Sequence, residues 1–548
     1  MVDLEDKGGN PLPQTIDSAK LKARHNVIYQ PDHSYVSSDP RIIFIKHILQ
    51  LVFAHGGSSK RSRANPSFAF RLHALKDWLI KTSPNAFLMQ FSWSCNANCV
   101  FCYQKGTPPF IKTKRKNSFQ EMKTRLKYFN PRKALGLVAG ETYENDEVLT
   151  NPIIMQGLKC IRNKDSSSIL EIITNGTPLT HEMIDQLIRF QPLKISISLN
   201  SANSYHRKQL MNDSHPETAI DSLPMLKRHK IPFIVNIVAW PSLPLSDIKK
   251  TIRYAERNDA YAIKICAPGY SKYFSDKQLF NAGKLWKRLA KWINRYGKGL
   301  SVPIYFSPNL FAENLLGNRY LAKPYILGVV KNSPAYQAGL KSGDIILEIE
   351  KTSITNREEA LANLLKSDSV SIKIMRGRKI LSFSIKYGKH NYPYLLSMKH
   401  GYGNMADPFG IMLPQGLDCD DVLDIFRYSA IYKAKNVLVL TSQTVKPTLM
   451  LLIKRNRPLN IRLNIFLLVP QNRFFGGSII IGDLLIVNDF IFAIRSWLKG
   501  HKKKPDLILI PNSPFSAWGR DLIGANKLKI EREIGIPVEF IYNSPIFK

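Results

Sequence analysis

The sequence predicts an α/β protein built on a parallel sheet or part of a β/α barrel, followed by a β-rich unit and a second α/β unit. Three observations lead there. Short apolar runs of strand length alternate with segments of helical period from about residue 86 to 300. From about 324 to 390, period-two alternation is punctuated by Gly and Pro. From about 391 to 548, strand and helix patterns alternate again. A chain of 548 residues is too long for one core, so roughly two to four domains are expected.

Residues 1–40 are polar, with scattered Pro and Gly, and read as a flexible arm. Residues 41–85 carry apolar positions at helical spacing, such as Ile42, Ile45 and Leu49, then Leu72, Leu75 and Leu79. They read as a helical extension. Core strands are expected at Phe87–Phe91, Leu135–Val138, Leu170–Thr174, Ile195–Leu199, Phe233–Val238 and Ala262–Cys266. Helices are expected at Pro152–Ile161, Leu179–Phe190, Ser222–Arg228, Leu245–Arg257 and about Asp276–Arg295. A Pro/Asn-rich linker is expected over 301–323. In the last unit, strands are expected at Val437–Leu440, Leu463–Leu468 and Asp506–Ile510. Its helices are expected at Asp420–Tyr432, Pro447–Asn456 and Phe490–Lys499.

The chain has 78 basic against 42 acidic residues, a formal net charge of +36. Such a surface suits RNA, DNA, anionic lipid or an acidic protein. The charge is spread along the chain, with local runs such as Lys112-Thr-Lys-Arg-Lys116 and Lys502-Lys-Lys504, and no aromatic-interleaved motif accompanies them. A solvated basic surface is therefore the favoured reading; nucleic acid stays open as a partner but is not favoured. Six cysteines, three of them clustered, are not a disulfide scaffold. Cys160, Cys266 and Cys419 read as small apolar packing residues. The opening residues lack a basic segment followed by an apolar run, so no signal peptide is expected. No apolar stretch reaches the length of a transmembrane segment; Phe474–Ile494 is broken by Asp483 and Asp489. The expected location is the cytoplasm.

The most informative feature is Cys95, Cys99 and Cys102, spaced C-x3-C-x2-C directly after the first expected strand. Thiolates at this density are soft ligands for iron or zinc. A structural zinc site wants a fourth Cys or His at close spacing, and none is near. Three ligands for a four-iron cube leave one iron open, whereas clusters are commonly held by four cysteines. A cysteine cluster without metal, or a zinc knuckle, is the plainer alternative.

The spacing resembles the radical SAM superfamily motif C-x3-C-x-aromatic-C, with Phe101 as the aromatic. The resemblance implies a partial (β/α)6 TIM-type barrel with its site at the carboxyl ends of the strands, where β/α barrels place active sites. It implies a 4Fe-4S cluster whose open iron binds S-adenosylmethionine. An electron donor reduces the cluster, and the cofactor is cleaved to methionine and a 5′-deoxyadenosyl radical that abstracts hydrogen from a substrate. Gly140-Glu141 resembles the family's Gly-Gly-Glu motif, with Ala139 in place of the first glycine. By resemblance it holds the methionine amino group. Glu144, Asp146 and Glu147 read as acidic residues just ahead of a helix. Asn175, Ser198 and Asn200 resemble positions that touch the cofactor's ribose or carboxylate. Arg207 is a candidate for a bidentate contact with that carboxylate. Turn and cap duty is the plainer reading of these four. Asn236, polar in an apolar strand, is a weaker candidate for the barrel interior, and His206 reads as a surface residue.

Residues 324–390, with Ser333-Pro-Ala, Ala338-Gly-Leu and Gly343-Asp-Ile-Ile, resemble a bacterial PDZ domain. Such domains add a partner's extended C-terminus as a strand; a packing role toward neighbouring units is the alternative. Residues 391–548 resemble the C-terminal domain of PDZ-containing radical SAM proteins, which has no assigned function. Pro268-Gly-Tyr-Ser-Lys-Tyr273 is similar to a segment of that family. In many members the PDZ unit precedes the cysteine motif, whereas here it follows. Two functions are therefore weighed: a radical SAM enzyme acting on a peptide, protein or RNA, and a non-catalytic iron–sulfur scaffold or redox sensor.

Overall fold

A computed structural model describes residues 95–102, 119–120, 123, 137–139, 147–164, 166, 170–274, 280–297, 300–307, 323–364, 366, 369–386, 409–414, 419–457, 462–480, 482–515, 519 and 521–541. The arm, the helical extension, the strand expected at Phe87–Phe91 and Gly140-Glu141 lie outside the described residues.

Six strands form one sheet in sequential order: β1 (Leu137–Ala139), β2 (Leu170–Thr174), β3 (Leu193–Ile197), β4 (Phe233–Val238), β5 (Ala262–Cys266) and β6 (Ile304–Ser307). Every neighbouring pair is parallel. Sequential parallel order requires a crossover after each strand. Described helices lie in all five: α1 (Ile154–Lys164), α2 (His181–Ile188), α3 (Ser204–Met211) with α4 (Pro216–Arg228), α5 (Leu245–Arg257), and α6 (Ala282–Tyr296) between β5 and β6. The last strand corrects the sequence reading, which placed residues 304–307 in a linker.

The two faces of the sheet differ. Ile172, Ile195, Ile197, Val235, Ile237, Ile263, Ile265 and Phe306 are buried against the helices. In α5 the buried positions Ile248, Thr251, Ile252 and Ala255 recur at helical spacing, which fixes the face it presents. The opposite face mixes Glu171, Lys194, Ser196, Asn236 and Lys264 with the apolar Ile173, Ile234, Val238 and Cys266. Glu171 and Lys194, paired in register, form an ion pair of 3.0 Å.

Helix α4 begins at Pro216, six residues before the start expected from periodicity. Proline suits the first turn because its missing N–H has no helical partner there. Pro224 lies inside the same helix and cannot donate to the carbonyl of Ile220. The Tyr254 hydroxyl of α5 donates to that carbonyl instead, at 3.1 Å.

The second unit is the antiparallel sheet β8 (Ile345–Ile349), β9 (Thr352–Ser353), β10 (Ser369–Arg376) and β11 (Lys379–Lys386), with the short helix α7 (Pro334–Gln337) and α8 (Arg357–Leu364). Gly343 has φ +96°, a conformation L side chains resist. The next residue, Asp344, is buried and takes both Nε and Nη2 of Arg376 at 2.7 Å. A strand pair completes the unit: β7 (Gly328–Val329) against β12 (Ile411–Met412). Phe409 and Ile411 are buried in the same core as Ile346, Ile372 and Ile374. The unit therefore draws on residues 409–412, which the sequence reading gave to the third unit.

The third unit is a parallel sheet ordered β14-β13-β15-β16: β13 (Asn436–Leu440), β14 (Asn464–Leu468), β15 (Leu507–Pro511) and β16 (Val538–Ile541). Helices α9 (Cys419–Ile431), α10 (Lys446–Asn456), α11 (Val487–Gly500) and α12 (Leu528–Ile534) cover it. Strand β16 and helix α12 are the elements the sequence reading did not place.

The second and third units meet the first sheet at opposite ends. The second packs Val330 and Met412 on Ile234, Tyr261 and Ala262, at the starts of β4 and β5. A Cβ on Gly328 would come within 2.6 Å of Pro303, which precedes β6. The third unit binds the loop that leaves β5. Lys272 N–H donates to the Phe475 carbonyl at 2.7 Å, and Ser478 N–H to the Tyr270 carbonyl at 2.9 Å.

Candidate functional site

The cysteine loop sits over the carboxyl ends of β2–β4. Asn98 N–H and Val100 N–H donate to the carbonyls of Met211 and Leu210, at 3.1 and 2.8 Å, so the loop rests on the last turn of α3. Phe101 lies 6.5 Å, ring to ring, from the buried Trp240 just beyond β4. Trp240 in turn packs edge-on against Phe280 at 5.2 Å. The motif's aromatic thus fastens the loop to the barrel rim.

Asn175, just past β2, reaches the same loop. Its carboxamide nitrogen donates to Asn96 Oδ1 at 2.8 Å and approaches Cys95 Sγ at 3.6 Å. Beneath it lies Glu147, fully buried. Glu147 accepts from Asn175 N–H (2.6 Å), the Thr174 hydroxyl (2.9 Å) and Leu149 N–H (3.1 Å). It stands ahead of a short 3-10 turn (Val148–Thr150) as expected, but its side chain supports the end of β2. Sequence reasoning grouped it with its acidic neighbours; burial was the missing signal.

Arg207 is buried, and the structure gives it partners other than a free carboxylate. Its guanidinium donates to Asp213 Oδ2 (2.8 Å) and to the carbonyls of Ser198 (3.0 Å), Leu199 (2.7 Å) and Asn175 (2.6 Å). Four of its five N–H groups are thereby committed, so a bidentate contact with a ligand is not open to it in this arrangement. It ties together the ends of β2 and β3. Asn200, at φ 60°, is also turned into the fold: its carboxamide accepts from Val238 N–H (2.8 Å) and donates to the Ser198 carbonyl (3.2 Å). Ser198 is half-buried at the rim. His206, read as a surface residue, is half-buried and contacts the buried Asp247 at 2.7 Å; Asp247 also accepts from Ser201 at 2.8 Å.

Cys95, Cys99 and Cys102 are half-buried and unoxidised. Burial raises the Cys95 thiol pKa, and the Glu147 charge adds to it; hydrogen bonds from Ala97 N–H and Asn175 pull the other way. A bound metal ion is what overcomes such protonation. Among the described residues, no three His, Cys, Asp or Glu side chains already converge as a closed metal site. The donor set nonetheless fits a soft cluster: three thiols on one eight-residue loop, over a sheet face that carries several polar side chains. That face also holds a ligand-side acceptor. Asn236 Nδ2 donates to Ser196 at 3.0 Å, while its Oδ1 is buried without a hydrogen-bond partner among the described residues.

Residues 89–255 match the Radical SAM superfamily and residues 309–387 match the PDZ domain family. The uncharacterized protein MJ0103 of Methanocaldococcus jannaschii is 23% identical over 297 residues, covering 49% of this chain and 67% of that protein. SuiB of Streptococcus suis, solved with its precursor peptide SuiA, aligns at 13% identity and a TM-score of 0.32, covering 43% of this chain and 53% of SuiB. The HtrA3 PDZ domain, solved with a phage-derived ligand, aligns at 29% identity and a TM-score of 0.11, covering 11% of this chain and 60% of that one. Both structures are thus spanned only in part, and at such scores the assignment rests on the family matches. The chain carries a radical SAM domain and a PDZ domain.

Proposed function

We propose that this chain is a radical SAM enzyme that holds a 4Fe-4S cluster on Cys95, Cys99 and Cys102, binds S-adenosylmethionine beside it, and acts on a polypeptide. The observation that carries the reading is the cysteine loop seated at the carboxyl end of the sheet, joined to the buried Glu147 through Asn175. When bound, the cluster and cofactor supply a 5′-deoxyadenosyl radical for hydrogen abstraction. The protein's own residues do the positioning. Phe101 and the Leu210 and Met211 carbonyls hold the loop. Arg207 and Asn200 fix the strand ends under it. Asn175 and Ser198 present polar groups to the cofactor, Gly140-Glu141 is assigned to it by resemblance alone, and Asn236 offers its free acceptor from the sheet face.

The PDZ domain captures an extended C-terminus of a protein partner by strand addition. A separate electron donor is required. The setting is a reducing compartment, the cytoplasm. Among the described residues no helix is long and apolar enough to cross a membrane.

The test is anaerobic reconstitution with iron and sulfide, reduction with dithionite, and assay for 5′-deoxyadenosine after adding S-adenosylmethionine. The expected result is formation that Cys99→Ala abolishes together with iron content, while the PDZ domain stays folded. A fully loaded cluster that yields no 5′-deoxyadenosine, even with cell extract as a substrate source, supports the scaffold or sensor reading instead.

A further inference from the structure

The third unit turns the carboxyl ends of its own parallel strands toward the barrel rim. Open α/β sheets bind ligands in the crevice outside those ends. Here a cavity of about 230 Å³ opens beside β13 and β14, lined among others by Ser442, Gln443, Gln471, Asn472, Ile479 and Leu485. Ile479 also closes on the first unit: a Cβ built on Gly269 would meet its side chain at 3.4 Å. The neighbouring Ser478 is bonded to Tyr270 in both directions, its N–H donating at 2.9 Å and its Oγ accepting at 3.1 Å. One wall of the cavity is therefore the seam that joins the third unit to the loop leaving β5.

We propose that this cavity is the polypeptide-binding half of a composite active site, taking an uncharged stretch of main chain. Among the described residues the lining holds no charged side chain and no aromatic ring. It thus offers an anionic ligand no counter-charge, and a nucleobase no stacking face. What it offers is carboxamides. Gln443 and Gln471 are exposed at the rim, and each can both donate and accept, which matches a peptide group. Asn472 is already spent on the Leu484 carbonyl and Phe475 N–H, so it shapes the wall. The volume is below the ~300–1,000 Å³ of pockets for whole small ligands, and suits one or two residues of a longer chain. The proposal rests on the polypeptide-substrate reading above and adds where that chain lies.

The test uses the full chain without cluster or cofactor. An N-acetylated, C-amidated heptapeptide library of Gly, Ala, Ser, Asn and Leu is selected on it, and recovered peptides are titrated singly. Amidation removes the carboxylate a PDZ groove requires, so retention reports another site. Gln443→Ala with Gln471→Ala is expected to weaken the recovered peptides about tenfold, and Ile480→Trp to abolish their binding, with thermal melting unchanged for the exposed double variant. No retained peptide, or retention indifferent to both variants, overturns the proposal. Displacement of a twenty-nucleotide oligouridine by the same variants overturns the peptide assignment in favour of RNA. Iron content after reconstitution does not depend on this binding, so either reading can fail alone.

Discussion

At the carboxyl end of the six-stranded sheet, contacts between units are polar and directional. At the amino end they are mainly apolar and matched by shape, with one surface ion pair beside them. The seam between the β5 loop and the third unit is built from hydrogen bonds of Lys272, Tyr270 and Ser478. The PDZ contact is built from Tyr261, Ala262, Val330 and Met412. Hydrogen bonds weaken steeply when misaligned, so the first kind of contact fixes a loop within narrow limits. Apolar contact is non-directional and holds a unit in place with less demand on register. On the function proposed above, the difference suits the two appended units to different work: the third unit to shaping the reaction site, and the PDZ domain to tethering. The two contacts lie at opposite ends of strands such as β5, whose five residues span roughly 17 Å. A peptide held by the PDZ domain must therefore pass around the barrel to reach the cysteine loop.

The largest expected effect is at the carboxyl end. Arg207→Ala strips the buried Asp213 of its ion-pair partner and the Asn175 carbonyl of its guanidinium donor, while the Ser198 and Leu199 carbonyls keep the Asn200 carboxamide and the Ser201 N–H. Breaking a buried pair by removing one member typically costs about 3–5 kcal/mol. Urea denaturation of the full chain is expected to show a loss of that order. A loss below about 1 kcal/mol would mean that the strand ends are held by other contacts, and that the carboxyl end is no more directional than the amino end.

The third unit should also respond to pH. Burial pushes the Glu539 carboxyl up to about 8, and the Tyr432 hydroxyl donates to it at 2.8 Å. A carboxyl whose pKa is raised by folding is favoured in its protonated form. Its stabilising contribution is whole below its ordinary value of 4.5, declines as the unfolded chain alone ionises, and is gone above about 8. The melting temperature of the unit is expected to fall between pH 5 and pH 8, and Glu539→Gln to flatten that slope. An equal slope in both proteins would remove Glu539 as the cause.

How much of this was legible beforehand follows from what each signal depends on. Strands β2, β4 and β5 were visible because apolar runs between turn residues reflect burial on the helix side. The cysteine spacing was visible because a loop must place ligands locally. Strand β6 was masked by the surrounding Pro and Asn, which in isolation signal a linker. Helix α3 has a weak apolar stripe because its inner face holds Arg207 as well as Leu210 and Met211. Its role was invisible until Asp213 stood beside the guanidinium. Glu147 could not be told from Glu144 or Asp146 by type; only the approach of Thr174 and Asn175 distinguishes it. The contribution of Phe409 and Ile411 to the PDZ core is a long-range pairing, and no local pattern encodes its partner.

Two glycines sharpen the contrast between the ends. Gly477 has φ +63°, and a Cβ there would lie 2.2 Å from the Tyr270 carbonyl oxygen. Gly477→Ala is expected to cost roughly 1–3 kcal/mol through backbone displacement, and to free the Lys272 and Ser478 amides to hydrogen exchange. It should also alter the yield of 5′-deoxyadenosine. Gly328→Ala meets Pro303 at the amino end, and should free the amides of Leu327 and Val330 while leaving that yield unchanged. An unchanged yield in both variants would sever the third unit from the chemistry.

The smallest effect tests whether the amino end carries any directional contact. Lys331 and Asp259 form an ion pair across the PDZ contact, with side chains 35% and 30% exposed. Lys227 pairs with the same carboxylate at 3.0 Å, so Asp259 keeps a partner when Lys331 is lost. The two cations hold the Asp259 carboxyl below its ordinary range despite partial burial, which resists that shift. At this exposure a pair contributes about 0–1 kcal/mol, screened further by salt. Lys331→Ala is therefore expected to shift stability by less than about 1 kcal/mol and to leave the Leu327 and Val330 amides protected. If those amides open instead, the amino end is held by charge as well as by shape, and PDZ attachment should loosen as ionic strength rises. Unchanged protection from low to high salt would leave the apolar contact around Ile234, Tyr261, Ala262, Val330 and Met412 to hold the attachment, the behaviour expected of a tether whose orientation the chemistry does not need.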